Sequence, residues 1–218
     1  MSWAILASAL LAITGSALGG DAIWLHYCFK PLTTLLVWGM VWRATAEGRL
    51  PYRKAILAAL LLSLCGDVFL MLPMPFGFEL GLASFLIAHL FFLRAFTRDA
   101  PLFGRRLPLI LLLPLSLANL LVLWPGVGPG LQIPVVAYML CLVAMTAQAV
   151  SRGLSLGTAD GRLAAAGGIA FLISDTTLAY NKFHAPVPAS ALLVLGSYYA
   201  ALYLIALSVR QKSAIYVQ

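Results

Sequence analysis

The sequence predicts an all-α, polytopic membrane protein, and three observations carry that prediction. Of its 218 residues, 62% are hydrophobic and only 10% are charged, whereas a soluble domain covers itself with about a quarter charged residues. The mean hydropathy is +0.98. The apolar residues fall into helix-length runs parted by short, turn-rich gaps, not into the alternation that marks half-buried strands.

Eight runs approach the roughly 20 residues needed to cross a bilayer: 3–19, 23–43, 54–72, 77–97, 107–124, 131–150, 161–181 and 188–209. The first lacks a basic leader region and is followed by further runs, so it reads as a transmembrane helix, not a detachable signal. The second contains Lys30 beside Pro31, and proline leaves a helix carbonyl without its donor one turn earlier. Pro73, Pro75 and Gly77 part the third run from the fourth. Pro101, Gly104 and Pro108 bound the next gap, PGVGPG (125–130) separates the fifth and sixth, and Pro186 and Pro188 precede the last. No gap is long enough for a soluble domain, so residues 1–218 read as a single membrane domain.

The net charge of +7 does not point to nucleic acid, because the basic residues sit in the gaps between apolar runs. Twelve of the fourteen Lys and Arg fall in the gaps after the second, fourth and sixth runs and in the C-terminal tail: Arg43, Arg49, Arg53, Lys54, Arg94, Arg98, Arg105, Arg106, Arg152, Arg162, Arg210 and Lys212. The positive-inside rule then places both termini in the cytoplasm, as expected of a bacterial inner (cell) membrane protein. Cys28, Cys65 and Cys141 lie inside apolar runs, at spacings that match neither a disulfide framework nor a metal motif.

Two carboxylates stand inside the runs: Asp67 in LLLSLCGDVFLML (60–72) and Asp175 in GGIAFLISDTTLAYNKF (167–183). An ionisable group at membrane depth is expensive and is a functional candidate by default. The two are 108 residues and four runs apart, so the third and seventh helices both run outward and a four-plus-four internal repeat is expected. Lys30 reads either as a snorkelling amine or as a counter-ion or phosphate ligand beside Asp67 or Asp175. Gly77, Gly81, Phe85 and His89 recur every four residues along one face of the fourth helix, with Glu79 near its outer start. A lone intramembrane histidine is more commonly a packing residue than a ligand. In the seventh helix Asp175, Ala179 and Lys182 share a face, with Asn181 beside it, and an Asp175–Lys182 ion pair is the structural alternative. Tyr198, Tyr199 and Tyr203 in the last helix form an interfacial belt or a pocket lining. Together these groups predict a polar cavity open to the outer leaflet.

At these residues the chain resembles the YhhN family of integral membrane proteins, which includes the animal lysoplasmalogenases. The resemblance is carried in order by Phe29-Lys30-Pro31-Leu32-Thr33, Gly66-Asp67-Val68-Phe69-Leu70, Gly81-Leu82 with Phe85 and His89, Phe171 through Ser174-Asp175 to Lys182-Phe183, and Tyr198-Tyr199-Ala200-Ala201. One departure is Leu202, where many members carry Gln. The resemblance implies hydrolysis of the vinyl ether bond of a lysophospholipid drawn from the membrane, giving a fatty aldehyde and glycerophospho-ethanolamine or -choline. It implies Asp67 and Asp175 as the catalytic pair. Lys30, Glu79, His89, Asn181, Lys182, Tyr198 and Tyr199 are then the substrate-binding candidates, with no metal and no cofactor. Acid–base chemistry agrees, since protonating the β-carbon of a vinyl ether needs one carboxylic acid and a second ionised group. A small transporter or lipid-binding membrane protein is the rival reading. The oligomeric state is not encoded in any feature of the chain.

Overall fold

In the computed structural model, which describes residues 1–45 and 48–209, eight α-helices follow one another with no strand among the described residues. They are α1 (Ser2–Leu18), α2 (Ile23–Trp42), α3 (Leu50–Met71), α4 (Gly77–Phe96), α5 (Leu107–Leu123), α6 (Gln132–Leu156), α7 (Ala159–Phe183) and α8 (Ser190–Leu207). The helices begin and end where the local chemistry dictates. Pro51 and Pro108 occupy the first turns of α3 and α5, where a missing N–H costs nothing. Thr158 caps α7 by accepting from the Gly161 amide, and Gly157, at φ 65°, ends α6 in the left-handed region.

Six helices, α3 to α8, are long and apolar enough to cross a membrane. The helix α5 reaches that length with the 3₁₀ turn that continues it to Gly126, whereas α1 stops at 17 residues. The helix α2 is 20 residues long but interrupts its apolar run with Lys30, Thr33 and Thr34. The chain is therefore an all-α polytopic membrane protein. Its outer surface is the inverse of a soluble one: Trp3, Ile110, Leu111, Leu121 and Ile133 are all exposed.

Small residues set the helix spacing, as expected where no water drives association. A Cβ placed on Gly66 of α3 would lie 2.6 Å from the Phe85 ring of α4. One on Gly81 of α4 would lie 2.6 Å from the Leu70 side chain of α3. The helices α7 and α8 meet in the same way, at Gly167 against Ala201 and Ile205.

The two ends of the bundle differ. At one end the α2–α3 and α4–α5 connections meet the end of α6 and the start of α7. There Arg152, fully buried, forks onto Asp99 at 2.6 and 2.7 Å and reaches Asp160 at 2.9 Å. Arg49 bridges the same two carboxylates at 2.7 and 2.9 Å. This corrects one sequence expectation: several basic residues assigned to the gaps lie within helix ends, namely Arg53 and Lys54 in α3, Arg94 in α4, Arg152 in α6, which continues to Leu156, and Arg162 in α7. Arg210 and Lys212 of the basic set lie outside the described residues. At the opposite end the Phe78 ring of α4 packs edge-on against Phe183 of α7. Gly126, in the turn after α5, sits so close to the Phe183 carbonyl that no side chain fits.

Candidate active site

A cavity opens within the bundle, and Asp67 and Asp175 both line it. A cavity is present where one was expected, but it is mainly apolar, and its lining draws on α2 to α8. Most of the lining is leucine, valine and phenylalanine; its polar members include Lys30, Tyr138, Ser174 and Tyr198.

Asp67 is fully buried near the end of α3. Its Oδ2 accepts hydrogen bonds from Thr34 Oγ1 at 2.7 Å and Tyr198 OH at 2.8 Å. The Lys30 ammonium stands 3.4 Å from Oδ1, although that oxygen has no hydrogen bond of good geometry. Lys30 and Thr34 are four residues apart on α2, so they share a face and grip one carboxylate together. Lys30 is itself buried, at 7% exposure, and faces Asp67, so its amine does not snorkel out of the bundle.

Asp175 projects from the middle of α7. Its Oδ2 accepts from Tyr138 OH of α6 at 2.5 Å, and His89 Nε2 of α4 lies 3.9 Å away, beyond hydrogen-bond reach. No lysine or arginine pairs with Asp175 among the described residues. The two carboxylates thus differ: Asp67 has a cation and two hydroxyl donors, whereas Asp175 has one hydroxyl and an imidazole held off. An aromatic wall stands beside them. Phe171 packs edge-on against Tyr198, Phe85 and His89, with ring centroids 5.6, 6.3 and 4.6 Å apart.

The remaining candidates divide. Lys182 lines the cavity and stands 5.0 Å over the Phe78 ring, a cation–π contact instead of an ion pair with Asp175. Glu79 is outside the lining. Asn181 is exposed, its Oδ1 accepting from the Val187 amide and fastening the α7–α8 connection. Tyr199 is buried beside Tyr198 with its hydroxyl unpartnered, also outside the lining. His89 is fully buried behind Asp175 and does not line the cavity.

Two donors escaped the sequence reading. Thr34 was legible in principle, four residues beyond Lys30 on the same face. Tyr138 carried no signal, because an isolated tyrosine in AYMLC (137–141) looks like any aromatic in an apolar run.

The model of the YhhN family matches residues 25–209. The chain belongs to the YhhN family. It is 39% identical over 161 residues to the lysoplasmalogenase TMEM86B of Sus scrofa, covering 74% of this chain and 66% of that protein. It is 35% identical to the lysoplasmalogenase TMEM86B of Homo sapiens, covering 85% and 75% of the two. A lysoplasmalogenase of Mycobacterium bovis is 32% identical, covering 86% and 70%. The chain thus spans about two thirds to three quarters of the length of these relatives. No solved structure matches it. The matched stretch holds the cavity residues Lys30, Asp67, Tyr138, Asp175 and Tyr198 and, beside them, Thr34 and His89.

Proposed function

We propose that this YhhN-family membrane protein is a lysoplasmalogenase that opens the vinyl ether bond of a lysophospholipid with Asp175 and Asp67. The observation that carries the reading is that two aspartates from α3 and α7 line one largely apolar cavity in unequal surroundings. The lysoplasmalogenase relatives support it. A single long chain suits the leucine-rich lining, and the polar group of the lipid suits Lys30 and Lys182.

The unequal surroundings divide the labour. Asp67, with Lys30 at 3.4 Å and two hydroxyl donors, is built as a carboxylate. Asp175, with a single hydroxyl, is the proton donor. Its proton passes to the β-carbon of the vinyl ether, whose π pair forms the new C–H bond. The positive charge settles on the C1–O unit, and Asp175 is left as a carboxylate. Water adds at C1, its proton passing to an aspartate, and the hemiacetal collapses to aldehyde and the freed glycerol hydroxyl. The sum is vinyl ether plus water giving aldehyde plus alcohol, with glycerophospho-ethanolamine or -choline as the second product.

The same reading takes all eight helices as spans of a bacterial inner membrane with both termini cytoplasmic. The supporting feature is that the basic residues gather at the Arg49–Arg152 end and the cavity residues toward the other. Substrate then enters from the outer leaflet. Labelling of a cysteine at position 181 in intact cells by an impermeant reagent is expected. Labelling only after lysis reverses the orientation.

The decisive measurement is aldehyde release from a lysoplasmalogen by the purified protein in detergent, beside Asp67→Asn and Asp175→Asn. Activity in the wild type and loss in both folded variants is expected. A folded wild type inactive on both head groups points instead to a transporter, which needs a sealed vesicle to show its work.

A further inference from the structure

Four buried side-chain polar atoms lack a hydrogen-bond partner among the described residues, and two of them are the ring nitrogens of His89. The other two are Asp67 Oδ1 and the Tyr199 hydroxyl. Leaving a buried donor or acceptor unsatisfied destabilises a fold, and native structures rarely tolerate it without a reason. An apolar ring at position 89 would suit the local packing better. The imidazole is fully buried, edge-on to Phe171 at 4.6 Å and to Tyr138 at 5.2 Å. What it gains there is a place 3.9 Å from Asp175 Oδ2, outside the cavity lining.

We infer that His89 is a positioning residue that closes onto Asp175 as the aspartate gives up its proton. The inference rests on Asp175 being the acid of the proposed reaction. When the proton leaves for the vinyl carbon, a carboxylate charge appears in a largely apolar cavity with one donor, the Tyr138 hydroxyl, already on Oδ2. In the tautomer that carries the ring proton on Nε2, His89 supplies the second. Closing the gap takes roughly 1 Å, within the tightening that catalytic hydrogen bonds show between empty and occupied sites. The arrangement places a neutral donor where charge develops and withholds it from the ground state, which is the condition for lowering a barrier without tightening substrate binding. His89 touches no substrate in this scheme. Its role differs from that of Lys30, which already pairs with Asp67 at rest.

The test compares wild type, His89→Phe, His89→Gln, Asp175→Asn and the His89→Phe/Asp175→Asn double variant. In steady-state aldehyde release His89→Phe is expected to lower kcat about 10²-fold with KM unchanged, and His89→Gln to recover part of the loss through its amide donor. His89→Phe is also expected to raise the thermal midpoint, and by a different amount when Asp175 is already Asn. An unchanged kcat overturns the inference, as does a raised KM at constant kcat, which marks His89 as a substrate ligand. If the wild type releases no aldehyde, the enzymatic reading fails on its own. The four midpoints still decide the His89–Asp175 coupling, and equal shifts in the two backgrounds overturn it.

Discussion

At the scale of single residues, the site is a contrast between two carboxylates, and each donor can be removed without changing shape. Tyr138→Phe takes the only hydroxyl from Asp175 and leaves the ring against His89. Aldehyde release is expected to fall by about 10²-fold, while Tyr198→Phe, which leaves Asp67 with Thr34 and Lys30, is expected to cost about tenfold or less. Steady-state rates on one lysoplasmalogen preparation check both, and the reverse order would contradict the division of roles. Lys30→Met is a harsher change, because it strands the Asp67 carboxylate in a buried site; removing one partner of a buried pair costs about 3 kcal/mol. A clear drop in thermal midpoint along with lost activity is expected. Much of this site was legible before the fold. The cost of a charge among apolar residues marks Lys30, Asp67 and Asp175 wherever they stand. The neutral donors are not marked in that way. A tyrosine or threonine is at home in a membrane helix with or without a task, so Tyr138 and the Thr34–Asp67 bond emerge only when α2, α3, α6 and α7 are placed side by side.

At the scale of the helices, spacing is controlled by glycines, and what each one meets decides its tolerance. Gly167 of α7 faces backbone as well as side chain: an added Cβ would lie 2.7 Å from Ile205 Cγ1 and 3.0 Å from the Ala201 carbonyl. Gly81 of α4 meets only side-chain atoms at such short range, Cδ2 and Cγ of Leu70, and Leu70 borders the cavity, into which it can give way. Gly167→Ala is therefore expected to destabilise by about 2 kcal/mol through overpacking, and Gly81→Ala by distinctly less. Thermal unfolding in detergent compares them. The helix frame itself was readable because its determinants are local. Span length, prolines in the first turns and turn-rich gaps put the boundaries within a few residues for most helices. The exceptions are instructive. The helix α3 starts at Leu50 and α6 runs to Leu156, each beyond its hydrophobic run, because the extra turns carry Arg53 and Arg152 into polar surroundings that hydropathy alone does not register.

At the scale of the whole molecule, the bundle is fastened at one end and hollow toward the other. The fastening is a ring of alternating charge, Arg49–Asp99–Arg152–Asp160, with both guanidinium groups also within 5 Å of the Tyr52 ring. Tyr52 in turn bonds Ser208 beyond α8. The ring joins the starts of α3 and α7, the end of α6 and the connection after α4, so it ties together segments up to 111 residues apart. Asp99, in the α4–α5 connection, reports on it. Burial opposes ionisation of Asp99, but the hydrogen bonds and charge of Arg152, with Arg49 behind it, outweigh burial and hold the carboxyl below its ordinary value. A carboxyl so lowered contributes stability that is present above its unfolded value and is lost as pH falls through the folded one. Lowering the pH through 4 and below is therefore expected to bring down the thermal midpoint of the wild type as Asp99 takes up a proton. Arg152→Met removes the main cause of the lowering. Its midpoint is expected to be lower near neutral pH and to fall less steeply on acidification, so that the two curves converge in acid. Parallel curves over the same range would mean that the ring does not contribute through Asp99, leaving the small-residue helix contacts to hold the bundle at both ends.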